Sequence, residues 1–180
     1  MSSPNVSVGD IFKDMKLRIL IIFIIILLFH VGEVRPAFAL EHARKDGLFS
    51  MDIPAAWHWF DYQEEAVITY PDAKTVAIDI QLVPSVKLSE AEIKKELKDG
   101  NEKIKQGVEA HQGILLDEKE IMVGGVFATQ VDFKTAKPNV LNVTYISFFA
   151  KGYVFTITYG SQDEGMRSML DDAVATFKFK

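Results

Sequence analysis

The chain has 180 residues, of which 48% are hydrophobic and 11% aromatic, and it carries a formal net charge of −5 with a pI near 5.4. This apolar content is enough to form a core, so a chain that is disordered throughout is excluded. Nucleic-acid binding depends on clustered Lys and Arg, and the acidic balance therefore gives no expectation of a nucleic-acid partner. The sequence contains no cysteine, so the folded part must be stable without disulfides.

The N-terminus has the pattern of a secretory signal peptide. Basic residues within positions 13–18 precede an unbroken apolar run from Ile19 to Phe29, and Ala37-Phe38-Ala39 places small residues two apart at a cleavage point. The apolar run is shorter than the roughly 20 residues that cross a bilayer as a helix. We therefore expect residues 1–39 to be removed and the protein to be exported to a bacterial periplasm, with an uncleaved N-terminal membrane anchor as the alternative.

Residues 40–180 are expected to form a single domain that opens with strands. After a leader over Glu41 to Asp46, apolar and polar side chains alternate with a period of two, which is typical of half-buried strands. The four strands predicted in this part are Leu48–Ile53, Trp57–Tyr62, Ala66–Tyr70 and Val76–Leu82.

Two helices are predicted, and the first has a readable start. Ser89 and Glu92 have the spacing of a capping box, and the helix that follows has an apolar stripe and an expected end near Gly107. Gly100 lies in its middle, where glycine costs roughly 1 kcal/mol relative to alanine, so a bend or break is expected there. The stripe of the first helix consists of Ile93, Leu97, Ile104 and Val108. The second helix is indicated by apolar residues three and four apart from Met166 to Phe177.

Strands return between the two helices. The predicted strands are Ile114–Ile121, the segment from Phe127 to Phe133, Val140–Ala150 and Tyr153–Tyr159. Gly124-Gly125 and Lys151-Gly152 are tight hairpin signals between consecutive strands. The layout predicts an α+β fold in which helices flank an antiparallel β-sheet.

Several core and turn motifs together resemble the PsbP/Mog1-like superfamily, especially its bacterial DcrB-type and PsbP-related members. The motifs are the segment from Phe49 to Pro54 with Trp57 after it, Gly152-Tyr153 leading into the last long strand, and the terminal helix that closes on Phe177-Lys178-Phe179. The resemblance covers most of residues 47–180. It implies an α/β/α sandwich and a protein that binds or assembles with others, and it carries over no binding residues, because such motifs specify a fold better than a function.

The sequence gives little support for an enzyme or a cofactor site. It contains no nucleophile elbow, zinc-protease motif, phosphate-binding loop or dinucleotide fingerprint. His111, Asp117, Glu118 and Glu120 are close enough in sequence to suggest a divalent metal site. On a strand, however, Asp117 and Glu118 point to opposite faces, and a solvated hairpin explains these residues better. We expect no catalytic residues, no cofactor and no metal.

Aromatic residues are the remaining candidates for a binding site. Trp57, Trp59, Tyr62 and Tyr153 belong to a set of aromatics that is larger than one sheet face requires, and some of them are expected to line a groove. Two hypotheses follow. The first is an exported, non-enzymatic protein that binds or assembles with an envelope protein or a membrane-proximal complex, which the sequence does not identify. The second is a carrier of a small ligand or lipid that uses the aromatic groove.

Overall fold

The structure is a computed structural model, and it describes residues 39–72, 74–85, 87–137 and 140–180. The predicted signal peptide lies outside these residues, apart from Ala39. The described strands and helices are, in chain order, β1 (Ala39–Ala43), β2 (Phe49–Pro54), β3 (His58–Asp61), β4 (Glu65–Thr69), β5 (Val76–Pro84), α1 (Glu90–Ala110), β6 (Ile114–Val123), β7 (Val126–Lys134), β8 (Asn142–Ala150), β9 (Tyr153–Ser161), α2 (Glu164–Ala175) and β10 (Lys178–Phe179).

The strands form two antiparallel sheets. A seven-stranded sheet has the order β3-β4-β5-β9-β8-β7-β6, and a three-stranded sheet has the order β1-β2-β10. Helix α1 packs on one face of the large sheet, over β6, β7 and β8, and α2 packs against β2 and β9. The predicted α+β class, with helices flanking an antiparallel sheet, is confirmed.

Two details of the N-terminal part were predicted wrongly. The expected leader over Glu41 to Asp46 contains most of β1, which pairs with β2 from Ala39 opposite Pro54 to Ala43 opposite Ser50. The first two predicted strands were expected in one antiparallel sheet, but β2 belongs to the small sheet and β3 is an edge strand of the large one. The small sheet also joins the C-terminal strand to the beginning of the described domain, because β10 pairs with β2 at Phe49 and Ser50.

The core lies between the small sheet and the large one. Phe49 of β2 stacks on Phe177 with ring centroids 4.9 Å apart, and it meets Phe155 of β9 edge-on at 6.0 Å. Phe155 in turn stacks on Phe148 at 5.0 Å. These rings are almost completely buried, and Phe177 enters the cluster because α2 ends just before it. The C-terminal helix therefore contributes to the core that Phe49 begins.

Helix α1 begins as predicted and ends later than predicted. The Ser89 hydroxyl accepts a hydrogen bond from the Glu92 backbone N–H, and the Glu92 carboxylate accepts one from the Ser89 N–H, which is the complete capping box. The helix passes Gly100 without a break and continues beyond Gly107 to Ala110. Neither glycine ends the helix. Leu97, which precedes Gly100, and Val108, which follows Gly107, are both buried and anchor α1 on the sheet.

Both hairpins predicted from glycine signals are present. Gly124 and Gly125 join β6 to β7 with φ angles of +56° and +83°, and Lys151 and Gly152 join β8 to β9 with φ angles of +52° and +82°. Two consecutive positive φ angles define the type I′ turn, whose twist matches that of paired strands. Strand β8 begins at Asn142, two residues later than predicted.

Trp57 is a core residue, and its removal is expected to be costly. Its ring is 6% exposed and meets Tyr70 edge-on with centroids 5.1 Å apart. We predict that Trp57→Ala lowers the free energy of unfolding by about 3–5 kcal/mol, the cost of a large-to-small core substitution. Chemical denaturation measures this change, with the exposed Tyr62→Ala as the matched control. Equal losses in the two variants would contradict the burial of Trp57.

Candidate functional site

The four aromatic residues predicted as groove candidates occupy different environments. Trp57 is buried in the core, whereas Tyr62 follows β3 and is 56% exposed. Trp59 is half-buried: its indole N–H donates to Asp61 Oδ1 over 2.8 Å, and its ring stacks on His42 at 6.0 Å. Tyr153 packs edge-on against Phe155 at 6.3 Å. The structure therefore gives Trp59 and Tyr153 packing partners at the margin of the core, and a binding role for the four residues stays a prediction.

The residues considered for a metal site are separated. His111 caps the C-terminus of α1 and is exposed. Glu118 faces α1, where it accepts hydrogen bonds from Lys105 Nζ at 2.8 Å and Asn101 Nδ2 at 3.0 Å, whereas Asp117 faces the opposite side near Lys119. Within the part of the chain that the structure describes, no three His, Asp or Glu side chains are placed to hold a metal ion.

A buried polar cluster, which the sequence analysis missed, positions α1. Asn101 is 1% exposed; its Nδ2 donates to Glu118, and its Oδ1 accepts a hydrogen bond from the Thr129 hydroxyl at 3.1 Å. Thr129 also lies 3.1 Å from the Ser147 hydroxyl. Asn101 follows Leu97 by four residues, so a polar residue inside the apolar stripe was the signal that could have revealed it.

Helix α1 leaves half of its side of the large sheet uncovered. A row of directly paired residues on this side runs across six strands, and its ends differ in exposure: Val131 beneath α1 is 0% exposed, whereas Phe60 on the far edge is 38% exposed. The row consists of Val131, Tyr145, Thr158, Asp79, Val67 and Phe60. We call the uncovered part the open half-face, and it consists of Phe60, Glu65, Val67, Asp79, Gln81, Val83, Val154, Thr156 and Thr158.

Two carboxyl groups lie together on the open half-face. Burial, together with hydrogen bonding and charge repulsion from Asp79, raises the pKa of Glu65 above its ordinary value. Gln81 donates to Asp79 Oδ2 over 2.9 Å, and when Glu65 is ionised the buried Asp79 Oδ1 has no hydrogen-bond donor. The charged strand residues of this half-face are therefore acidic, and one carboxylate oxygen on it is an unused acceptor.

The ionisation of Glu65 should make stability depend on pH. The Glu65 carboxyl has a higher pKa in the folded state than in the unfolded chain, where the pKa is 4.5. Its contribution to folding stability is therefore fully present below pH 4.5 and is lost as pH rises through the folded-state pKa. We predict that Glu65→Gln raises the melting temperature at pH 7 and has little effect at pH 4. Thermal melts over this range measure the difference, with the exposed neighbour Glu64→Gln as the control. An equal increase in melting temperature at both pH values would contradict the proposed repulsion between Glu65 and Asp79.

A cavity lies on the other face of the large sheet, beside α2. It has a volume of about 360 Å³ and an apolar wall that includes Ile146 and Val174, with Arg167 and Asp132 at its polar end. Arg167 is largely buried at 16% exposure, and it donates to Asp132 Oδ1 at 3.2 Å and to the Asn142 carbonyl at 3.0 Å. The guanidinium also bonds to the Thr144 hydroxyl.

The charged groups around this cavity are paired within the protein. Arg167 Nε donates to Asp171 Oδ1 at 3.2 Å, and the guanidinium lies over the Tyr159 ring at 5.0 Å. The Tyr159 hydroxyl donates to the same carboxylate over 2.8 Å, and burial raises its pKa. Lys119 lies 3.6 Å from Asp132. The network fastens α2 to β7, β8 and β9, so an ionic ligand entering the cavity must displace an existing pair.

The Arg167 network is expected to stabilise the fold. Replacing Arg167 with Met leaves Asp132, which is 15% exposed, without its main cationic partner. We predict a loss of about 2–3 kcal/mol in unfolding free energy, below the range for a fully buried pair. Urea denaturation measures the loss. The control is Lys178→Met, which breaks an exposed pair with Glu41 and should have a much smaller effect. A comparable loss in both variants would argue against a structural role for the network.

Comparisons with known proteins identify the fold. PsbP (CyanoP) from Synechocystis sp. PCC 6803 superposes with a TM-score of 0.60 at 12% identity, covering 83% of this chain and 96% of that protein. A protein from Bacteroides thetaiotaomicron VPI-5482 superposes with a TM-score of 0.54 at 12% identity, covering 78% of this chain and 48% of that one. LpqN of Mycobacterium tuberculosis, described as involved in cell envelope biogenesis, gives a TM-score of 0.46 at 14% identity, with 99% of both chains covered.

The chain thus has an α+β fold like that of PsbP (CyanoP), and the predicted resemblance is confirmed at the level of the fold. No model of a protein family matches the sequence. The comparison with curated proteins finds no relative. No helix in the described part of the chain is long and apolar enough to cross a membrane. At 12% identity the likeness concerns the fold alone, and function must be argued from the surfaces of this chain.

Proposed function

We propose that the protein is an exported, non-enzymatic component of the bacterial cell envelope that binds a protein partner through the open half-face. The observation that carries the proposal is the uncovered half of the sheet, where apolar side chains stay exposed beside α1. Val83 is 55% exposed and Phe60 38% exposed. A sheet face bearing apolar side chains is usually covered by another layer, and contiguous exposed apolar surface often marks an interaction site.

Two further observations support the proposal. The apolar run from Ile19 to Phe29, followed by small residues up to Ala39, is typical of an export signal. The charged groups beside the cavity are tied into ion pairs with one another, as at Arg167 and Asp132, which favours a structural over a catalytic role. A periplasmic location and a DcrB-like role belong to the same proposal.

The proposal is tested by site-specific photo-crosslinking of the full chain in its native cells. A photoreactive amino acid at Val83, on the open half-face, is expected to give a covalent adduct with another protein. The matched control is the same amino acid at Met169, which is 37% exposed on α2. Absence of a protein adduct at Val83, or the same adducts at both positions, would count against the proposal.

A small-ligand carrier is the second candidate, and the cavity beside Arg167 is the observation that favours it. Its volume of about 360 Å³ is enough for a small molecule, and its wall combines apolar residues with a polar end. This candidate predicts that native mass spectrometry of the purified chain detects a bound small molecule, and that Val174→Trp, which narrows the cavity, removes it.

A further inference from the structure

The open half-face is wide enough for one more helix beside α1. Neighbouring strands lie about 4.8 Å apart, so the four strands β3, β4, β5 and β9 span about 14 Å between their outer axes. An α-helix with its side chains is about 10 Å across, and packed helices lie about 8–10 Å apart. A helix alongside α1 would therefore rest on β9 and β5, with its far flank over β4.

The flank of α1 that borders this space is lined by glycine. Lys105 and Lys94 reach Glu118 and the Phe127 ring, so they mark the flank of α1 that faces β6 and β7. At 100° per residue, Gly100 and Gly107 lie on the opposite flank. A Cβ atom at either glycine would meet nothing within 4 Å, so among the described residues both positions border open space.

Neither glycine is required by a turn, a helix end or a close contact among the described residues. Each glycine inside a helix costs roughly 1 kcal/mol relative to alanine, and α1 continues through both Gly100 and Gly107 to Ala110. The two positions are seven residues apart, which is about two helical turns, so they form one smooth strip along the helix. A glycine strip of this kind allows a second helix to approach closely.

The acidic charge of the open half-face indicates that a helix packed beside α1 would carry a basic side chain. Among the described strand residues on this half-face the charged ones are Glu65 and Asp79, and with both ionised the buried Asp79 Oδ1 is an acceptor without a donor. A lysine or arginine reaching this oxygen would complete its hydrogen bonding and relieve the repulsion between the two carboxyl groups. The same acidic surface is unfavourable for contact with anionic lipid headgroups.

We infer that the open half-face binds an amphipathic α-helix of the partner protein, with the glycine strip as its side wall and a basic side chain of that helix on Glu65 and Asp79. The inference rests on the proposed function and specifies the partner's chemistry. The apolar side of the helix covers Val67, Val83 and Val154 in this arrangement, and its polar side faces solvent. An amphipathic helix in a groove is a recurring mode of protein recognition.

A model peptide tests the chemistry directly. The full chain is titrated with a dye-labelled amphipathic helix of leucine and lysine, about 18 residues long, and with its leucine–glutamate counterpart. We expect the lysine peptide to bind and the glutamate peptide to bind at least about tenfold more weakly. The double variant Glu65→Gln, Asp79→Asn should weaken binding of the lysine peptide about tenfold and reduce the difference between the two peptides.

The glycine strip is tested by filling it. Gly100→Leu with Gly107→Leu should weaken binding of the lysine peptide about tenfold or more, because the new side chains occupy the docking space. Both changes improve helix propensity, so circular dichroism should show an intact fold. The matched control is Gln106→Leu, an exposed position on the solvent side of α1, which should leave binding unchanged. Equal binding of the two peptides, or binding unaffected by the paired glycine change, would overturn the inference.

The crosslinked segment separates this inference from the proposed function. Peptide sequencing of the adduct formed at Val83 should identify a segment with apolar residues three and four apart and a lysine or arginine. An extended segment, an acidic segment or a segment of a second copy of this chain would overturn the inference while the binding function stands. Absence of any protein adduct at Val83 contradicts the proposed function itself.

Discussion

The buried amide of Asn101 is the interaction that fixes the arrangement of α1 on the large sheet. It donates to Glu118 on β6 and accepts from Thr129 on β7, so the helix cannot slide across the sheet without leaving buried polar groups unpaired. Each such group costs about 1–3 kcal/mol. Apolar packing alone tolerates small displacements, whereas a satisfied buried network specifies one position. The polar contact therefore decides which strands α1 covers and which it leaves open.

The two faces of the large sheet are consequently different. On one face, the small sheet and α2 close over a core of aromatic rings around Phe155, and the ion pairs of Arg167 fasten α2 to the edge of that layer. On the other face, Asn101 holds a single helix over one side of the sheet. Among the described residues, a layer therefore covers the sheet on the side where β2 pairs with β10, and only part of the opposite face is covered. A missing layer is a natural place for a partner to bind.

Local signals in the sequence predicted most of the strands and both helices. The capping box at Ser89 and the paired turn residues at Gly124-Gly125 depend on neighbours in the chain, and both were found where expected. The partition into two sheets could not be predicted, because it depends on β2 pairing with β10 at the other end of the chain. The acidic pair escaped notice for the same reason: Glu65 and Asp79 meet only through the register between β4 and β5, which includes a bulge near Thr69.

Several residues on the α1 side of the large sheet are ones that local propensity disfavours at their positions. The locally unfavourable features found there are an amide within an apolar stripe at Asn101, glycine inside a helix at Gly100 and Gly107, and two carboxyl groups brought together at Glu65 and Asp79. Asn101 is explained by the contacts it makes inside the chain. The glycines are not, since a Cβ atom at either position would meet nothing within 4 Å. The carboxyl pair is not either, since its two members repel each other when both are ionised. Natural sequences tend to keep such unfavourable features where function requires them, and these border the same uncovered strands. Their common position is the strongest reason to regard the missing layer as a binding surface.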